Sequence, residues 1–211
     1  MTFQVLFNSA QSIEIDRRKV VGQSISRSQR IKSAERVTAQ PFVLTVKPIA
    51  VFPYTTTRTI FEAIQNYDRT AECVVNIANT PNLHYLTRYQ GDFSVAERAA
   101  MTITNFTGTS VTIAVNTSTS GYIFRGGDWI QPTNSRYPYI VTEDVINFGS
   151  FKTFQVHRPL ITSENTNTNT TMKIGTATTM VVVAQEFPTY RIIRRDWAEY
   201  TGDFVFVEKI I

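Results

Sequence analysis

The sequence predicts a mainly β protein, and three observations carry that expectation. Fourteen Phe, nine Tyr and abundant Thr and Val supply the branched and aromatic side chains that suit a pleated, half-buried surface. Short runs alternate apolar with polar residues at period two, the pattern of a strand with one face in a core. Clusters of Gly, Pro, Asn and Ser interrupt those runs at short intervals, as in small barrels and sandwiches. With 211 residues, 42% of them hydrophobic and 18% charged, the chain is long and apolar enough to bury a sizeable core.

Residues 3–7 (FQVLF) and 12–16 (SIEID) alternate and predict an N-terminal hairpin. The basic phrase QSISRSQRIKSAERVTAQ has little periodicity and is expected as a long loop. In PFVLTVKP, Phe42, Leu44 and Val46 share a face before Pro48 ends the strand. Thr59 and Glu62 form a capping box ahead of Ile60, Ile64 and Tyr67, which predicts one short helix. In AECVVNI, Ala71, Cys73, Val75 and Ile77 fall on one face, making Cys73 a core residue. MTITNFTGTSVTIAV reads as a hairpin turning at Gly108, with further strands expected at 122–124, 129–131, 139–142 and 154–158. TSENTNTNTTM has no apolar anchor and predicts an exposed loop, after which TTMVVVAQEFPTYRII returns to dense β-formers.

One phrase occurs twice: Tyr-x-Gly-Asp-Phe-x-x-x-Glu at 89–97 and again at 200–208. The two copies are expected as strands of one β domain, split into residues 1–98 and 177–211, with residues 99–176 inserted as a small β-barrel. Ser94 and Glu97 also fit a capping box, which would take the first copy into a short helix.

The chemistry-bearing residues do not assemble into a catalytic or metal motif. Cys73 is the single cysteine and His84 and His157 the two histidines, so no intrachain disulfide forms and no metal-ligand spacing is present. RGGDWIQP lacks the phosphate-loop spacing and any helix behind it, and Asp128 and Asp203 each follow Gly as turn residues do. No nucleophile elbow surrounds Ser24, Ser26 or Ser28. Neither an enzyme nor a cofactor is therefore expected, and no small-molecule substrate. A hydrolytic reading would need a cleft around paired carboxylates such as Glu143 and Asp144. No run approaches a membrane span and no basic flank precedes the apolar start, so neither export nor membrane insertion is expected.

Charge is the outlier. The net charge is +4, but residues 17–36 hold Arg17, Arg18, Lys19, Arg27, Arg30, Lys32 and Arg36 against Glu35 alone. Phosphate binding is disfavoured, because no interleaved aromatics or nucleic-acid-binding motif accompany these residues. The favoured expectation is a basic arm that docks on an acidic neighbouring subunit, where arginine forks meet carboxylates.

The phrases IDRRKVVGQSISRSQRIKSAERVTAQPFVLTVKP, FRGGDWIQPTNSRYPYIVTEDV, VHRPL and YTGDFVFVE together resemble small virion structural proteins of tailed bacteriophages, in particular T4-like contractile-tailed phages including cyanophages. The resemblance implies a tail-tube or hub-like β-sandwich or barrel host domain, found in a ring or baseplate. Its partners would be copies of itself and other tail proteins, in a virion assembled in the host cytoplasm. It also implies that Arg27, Arg30 and Arg36 lie on a loop reaching across a subunit interface, and that Gly127, Asp128 and Trp129 start a strand of the inserted barrel. The extra barrel departs from a simple tube protein and favours a hub, tube-end or baseplate position. The alternative is a receptor-binding or capsid-decoration protein that holds host carbohydrate on the barrel and the 162–171 loop. Exposure of Trp129 or Tyr137 would support that alternative.

Overall fold

The structure, a computed structural model, describes residues 3–17, 21–25, 31–35, 39–49, 51–66, 71–78, 84–161, 170–194 and 196–210. It is mainly β, with 43% of residues in strands and 16% helical. The chain opens with a helix, α1 (Gln4–Asn8), followed by the strands β1 (Ala10–Asp16), β2 (Val21–Ile25), β3 (Ile31–Glu35), β4 (Val43–Pro48) and β5 (Phe52–Pro53). Helix α2 (Tyr54–Gln65), β6 (Cys73–Val75) and helix α3 (Val95–Ala99) come next. The middle of the chain supplies β7 (Thr102–Thr107), β8 (Ser110–Ala114), β9 (Tyr122–Phe124), β10 (Trp129–Pro132), β11 (Tyr139–Ile140), β12 (Val145–Ile146), β13 (Phe151–Gln155) and β14 (Thr170–Ile174). The chain closes with β15 (Met180–Glu186), β16 (Tyr190–Arg194), β17 (Trp197–Tyr200) and β18 (Phe204–Glu208).

A five-stranded sheet in the order β1-β4-β18-β15-β6 draws on both ends of the chain. The last strand lies between the other two segments: Phe206 is opposite Leu44 on β4 and Ala184 on β15. Alternation along β18 turns Phe204, Phe206 and Glu208 inward and leaves Val205 and Val207 partly exposed. Phe204, Phe206, Phe42, Leu44, Val46, Cys73 and Val182 form this core, and Cys73 is buried as its sequence pattern predicts.

A second sheet, β11-β10-β14-β7-β8-β13, is built wholly from the middle of the chain. Its two edges meet at a bridge between Val141 and Val156. Thr142 N–H donates to Gln155 O at 3.0 Å, and His157 N–H to Ile140 O at 3.0 Å. The six strands therefore curl into a small half-barrel whose edge strands β11 and β13 are joined just beyond their ends at this bridge. Strand β10 is buried along its whole length because both its faces are covered. Ile130 points into the barrel core, while Trp129 joins the core of the five-stranded sheet.

Several elements differ from expectation, among them the end of TSENTNTNTTM, expected as an exposed loop: residues 170–172 enter β14 with Thr170 and Met172 buried, and residues 162–169 lie outside the described residues. Residues 4–8 form a helix, because Phe3 at its N-cap, Leu6 and Phe7 fall at i, i+3 and i+4 and all reach the sheet core. Gln4 then takes the place of a strand partner: Asn76 N–H donates to its Oε1 at 2.7 Å and its Nε2 donates to Asn76 O at 2.8 Å. The expected hairpin is replaced by pairing of β1 with β4. Helix α2 begins well before Thr59, since its cap is remote in sequence. Asp196 Oδ1 accepts from Thr55 N–H at 2.6 Å and Asp196 O from Tyr54 N–H at 2.8 Å, satisfying donors that every helix start leaves open. Among the described residues the α-helices number three rather than one.

The repeated phrase also folds in two ways. The copy at 200–208 runs into β18. The copy at 89–97 is not a strand: Ser94 and Glu97 form the reciprocal capping box of α3, and Phe93 packs into the barrel core. In this copy Tyr89 folds back to donate from its hydroxyl to Ile123 O at 2.6 Å, and a Cβ on Gly91 would sit 2.3 Å from that hydroxyl. Asp92 Oδ2 accepts from Tyr122 N–H at 2.8 Å, and Glu97 accepts from Thr117 at 3.1 Å and from Thr119. The repeated letters thus fasten the loop ahead of β9 instead of pairing with a strand.

Candidate functional site: the arm and the junction at its root

The basic stretch expected as a loop is a hairpin. β2 and β3 pair without a break from Val21 opposite Glu35 to Ile25 opposite Ile31, across a five-residue connection, SRSQR. Branched residues fall near the ends of these strands with polar ones between, which leaves no alternation for a sequence reading to find. Among the described strands the pair bonds only to itself. It leaves the five-stranded sheet after Asp16 and returns before Val43, two residues that are opposite each other in the sheet. The hairpin is therefore an arm rooted at one end of that sheet. Of the seven expected interface residues, Arg17 is exposed at the root and Lys32 lies in β3 opposite Ser24. Arg18, Lys19, Arg27, Arg30 and Arg36 lie outside the described residues.

Beneath the arm's returning segment is a polar cluster that joins sheet and barrel. The Arg158 guanidinium, 3% exposed, donates to both oxygens of Glu208, 2% exposed. The Nη2–Oε1 distance is 2.7 Å. The same guanidinium donates to Gln40 O at 3.0 Å and Pro138 O at 2.8 Å. Glu208 Oε2 also accepts from Phe42 N–H at 3.1 Å. Arg158 comes from just beyond the barrel's last closing strand, Glu208 from the end of β18, and Gln40 and Phe42 from the segment leading off the arm. One side chain thus ties three parts of the chain together, with bidentate geometry that a lysine cannot reproduce. The Phe42 ring lies 4.8 Å and the Tyr139 ring 5.3 Å from the guanidinium carbon, and Trp129 stacks on Phe42 at 5.4 Å.

His157 flanks the pair. Its Nδ1 accepts from Ile140 N–H at 3.0 Å, so its proton sits on Nε2, which is buried with no hydrogen-bond partner among the described residues. Burial first, and the positive charges of Arg158 and Arg17 next, push its pKa down to about 3. The ring is held neutral against a permanently charged neighbour. An exposed network spans the same junction, with Glu72 meeting Lys209 at 2.8 Å and Arg136 at 2.9 Å. Lys209 and Arg136 together hold the Glu72 carboxyl below its usual range.

The remaining expected positions serve turns. Asp128, 1% exposed, accepts from Gln90 N–H and Arg125 N–H, each at 2.8 Å, and burial raises its pKa. Asp144 accepts from Gly126 N–H at 2.9 Å and pairs with Arg125 at 3.2 Å, which lowers its pKa. Glu143 accepts from Gln155 N–H at 2.8 Å. Trp129 and Tyr137, at 4% and 1% exposure, are core residues and offer no platform to a sugar. Among the described residues no group of three or more His, Cys, Asp or Glu is placed to hold a metal ion, and no helix is long and apolar enough to cross a membrane.

Arg158 and Glu208 stand in no recognisable catalytic or metal motif. The signal for Glu208 was present: FVFVE alternates, so a carboxylate shares the inward face of Phe204 and Phe206, and a buried carboxylate requires a partner. Arg158 carries no comparable mark. Fold and junction together define a mainly β protein with a self-paired basic arm mounted on a sheet-and-barrel body. No protein-family model matches the chain, and no curated protein matches it.

Proposed function

We propose that the protein is a structural component of a phage tail, located at the baseplate or distal tail, which works by assembling with copies of itself and with neighbouring tail proteins. The observation that carries this reading is the arm: two strands that pair only with each other among the described strands, within a stretch holding seven basic residues and one acid. A two-stranded hairpin alone in water is marginally stable, so an arm of this kind gains order by lying on another surface. The buried Arg158–Glu208 pair fixes its root, and a fixed root lets an arm hold a defined angle across an interface. The phage-tail assignment itself rests on the resemblance of the arm, GGDWIQ, RPL and YTGDFVFVE phrases. We further propose that residues 1–98 and 177–211 act as the host body and 99–176 as a passenger barrel.

Charge reversal of Arg27 and Arg30 to Glu tests the reading. The expected result is loss of assembly by sedimentation with an unchanged circular dichroism spectrum and unfolding midpoint. Unaltered assembly would remove the arm from the account.

A further inference from the structure

One face of the barrel is hydroxyl-rich and edged with exposed aromatic rings, one of which, Phe148, carries the Lys152 ammonium 5.4 Å from its centroid. The outward positions of β7, β8 and β13 bear no charged residue. Register sets Thr112 opposite Thr153, and their hydroxyls meet at 2.8 Å. Thr104 donates to Thr112 O at 3.1 Å. Thr109 donates to Gln155 Oε1 at 2.8 Å, which fixes the amide and leaves its NH2 group unpartnered among the described residues. Each hydroxyl has one donor and two acceptor positions, so the paired threonines keep unused capacity of both kinds toward solvent. At one end of this face Phe151, opposite Ala114, is 65% exposed, and Phe148 is 81% exposed. The connecting turn is fastened, with Asn147 N–H donating to Gly121 O at 2.9 Å and its side chain to Thr119 O at 2.7 Å. The rings are therefore displayed on a held loop.

We propose that this face binds a neutral polysaccharide chain. Phosphate-bearing polymers are disfavoured because Lys152, over the Phe148 ring, is a single cation, and a phosphate backbone needs several to neutralise it. A sugar ring presents C–H groups on its faces and hydroxyls at its rim, and the barrel presents the complement: two apolar rings beside an ordered set of mixed donors and acceptors. Adjacent strands lie about 4.8 Å apart, roughly one pyranose, so consecutive sugar units would meet hydroxyls on successive strands. The site shares no residue with the arm or the junction and is independent of the assembly reading.

Affinity electrophoresis of the full chain through gels containing dextran, mannan, galactomannan or a soluble β-glucan tests it. At least one of these polymers should retard the wild type, and the Phe148→Ala, Phe151→Ala double variant should lose the retardation. Thr153→Val, which keeps shape and removes the hydroxyl, should weaken binding by about fivefold to tenfold, as expected for one hydrogen bond. Both Phe side chains are exposed, so an unchanged urea midpoint will show that the double variant is folded. Absence of retardation by all four polymers overturns the proposal, as does retardation indifferent to the Phe and Thr changes. Capture of a protein through the two Phe residues without glycan binding overturns it equally.

Discussion

Replacing Arg158 by Met probes the junction most sharply. The guanidinium donates to both Glu208 oxygens, to Gln40 O and to Pro138 O. Met fills similar volume and makes none of these bonds. Among the described residues Glu208 would keep only the Phe42 N–H at 3.1 Å, while it is 2% exposed in the parent structure. Removing one member of a buried pair costs about 3–5 kcal/mol, chiefly because the other charge is left uncompensated. Removing both is far milder, so Arg158→Met with Glu208→Leu should be destabilised by much less than the sum of the single changes. A coupling of about 2–3 kcal/mol is expected for residues in direct contact. Urea unfolding followed by tryptophan fluorescence is a suitable assay, since Trp129 stacks on Phe42 and reports on this junction. A single-variant loss below about 1 kcal/mol, or strict additivity, would refute the reasoning.

Acid stability follows from His157. Its folded pKa, about 3, lies below the unfolded value near 6.5, so the unfolded chain binds the proton first. Stability is then full above about pH 6.5 and declines as pH falls toward 3, by up to about 1.4 kcal/mol per pH unit, less whatever solvent reaching the ring screens. His157→Gln should flatten the decline between pH 6.5 and 5 in urea titrations at stepped pH. The two glycines of the repeated phrase should part company: Gly91→Ala clashes with Tyr89 and should destabilise by about 1–3 kcal/mol. Gly202→Ala meets only Pro188 at 3.6 Å and should stay within about 0.5 kcal/mol, both read from urea midpoints. Asp196 caps α2 with φ at 67°. Its change to Ala should therefore cost about 1–2 kcal/mol, combining the lost cap with a strained left-handed backbone, and Asn should recover most of it.

What could be read from the sequence was what local period alone decides. The Thr102–Thr107 and Ser110–Ala114 hairpin turns at Gly108, whose φ is 57°, and it needs no distant partner to be recognised. Cys73 and Val75 alternate cleanly inward. Failures came where a remote residue overrides the local pattern. Residues 3–7 alternate like a strand, yet the sheet core takes Phe3, Leu6 and Phe7 from one helical face. Helix α2 takes its cap from Asp196, which no window around Thr59 contains. Tyr89–x–Gly91 and Tyr200–x–Gly202 are the same letters, but only the first must admit a tyrosine ring beside its glycine. The arm's two strands were missed because their pairing, not their periodicity, makes them strands. Of the candidate site, the basic charge was visible and the Arg158–Glu208 bond beneath it was not, since its partners are separated by 50 positions.

The mass of the purified full chain in solution, followed by sedimentation as concentration rises, tests the central claim of arm-mediated assembly most directly. A closed multiple of the chain mass that dissociates when the arm is removed is the predicted result. A single-chain mass at every concentration, with or without the arm, would contradict it.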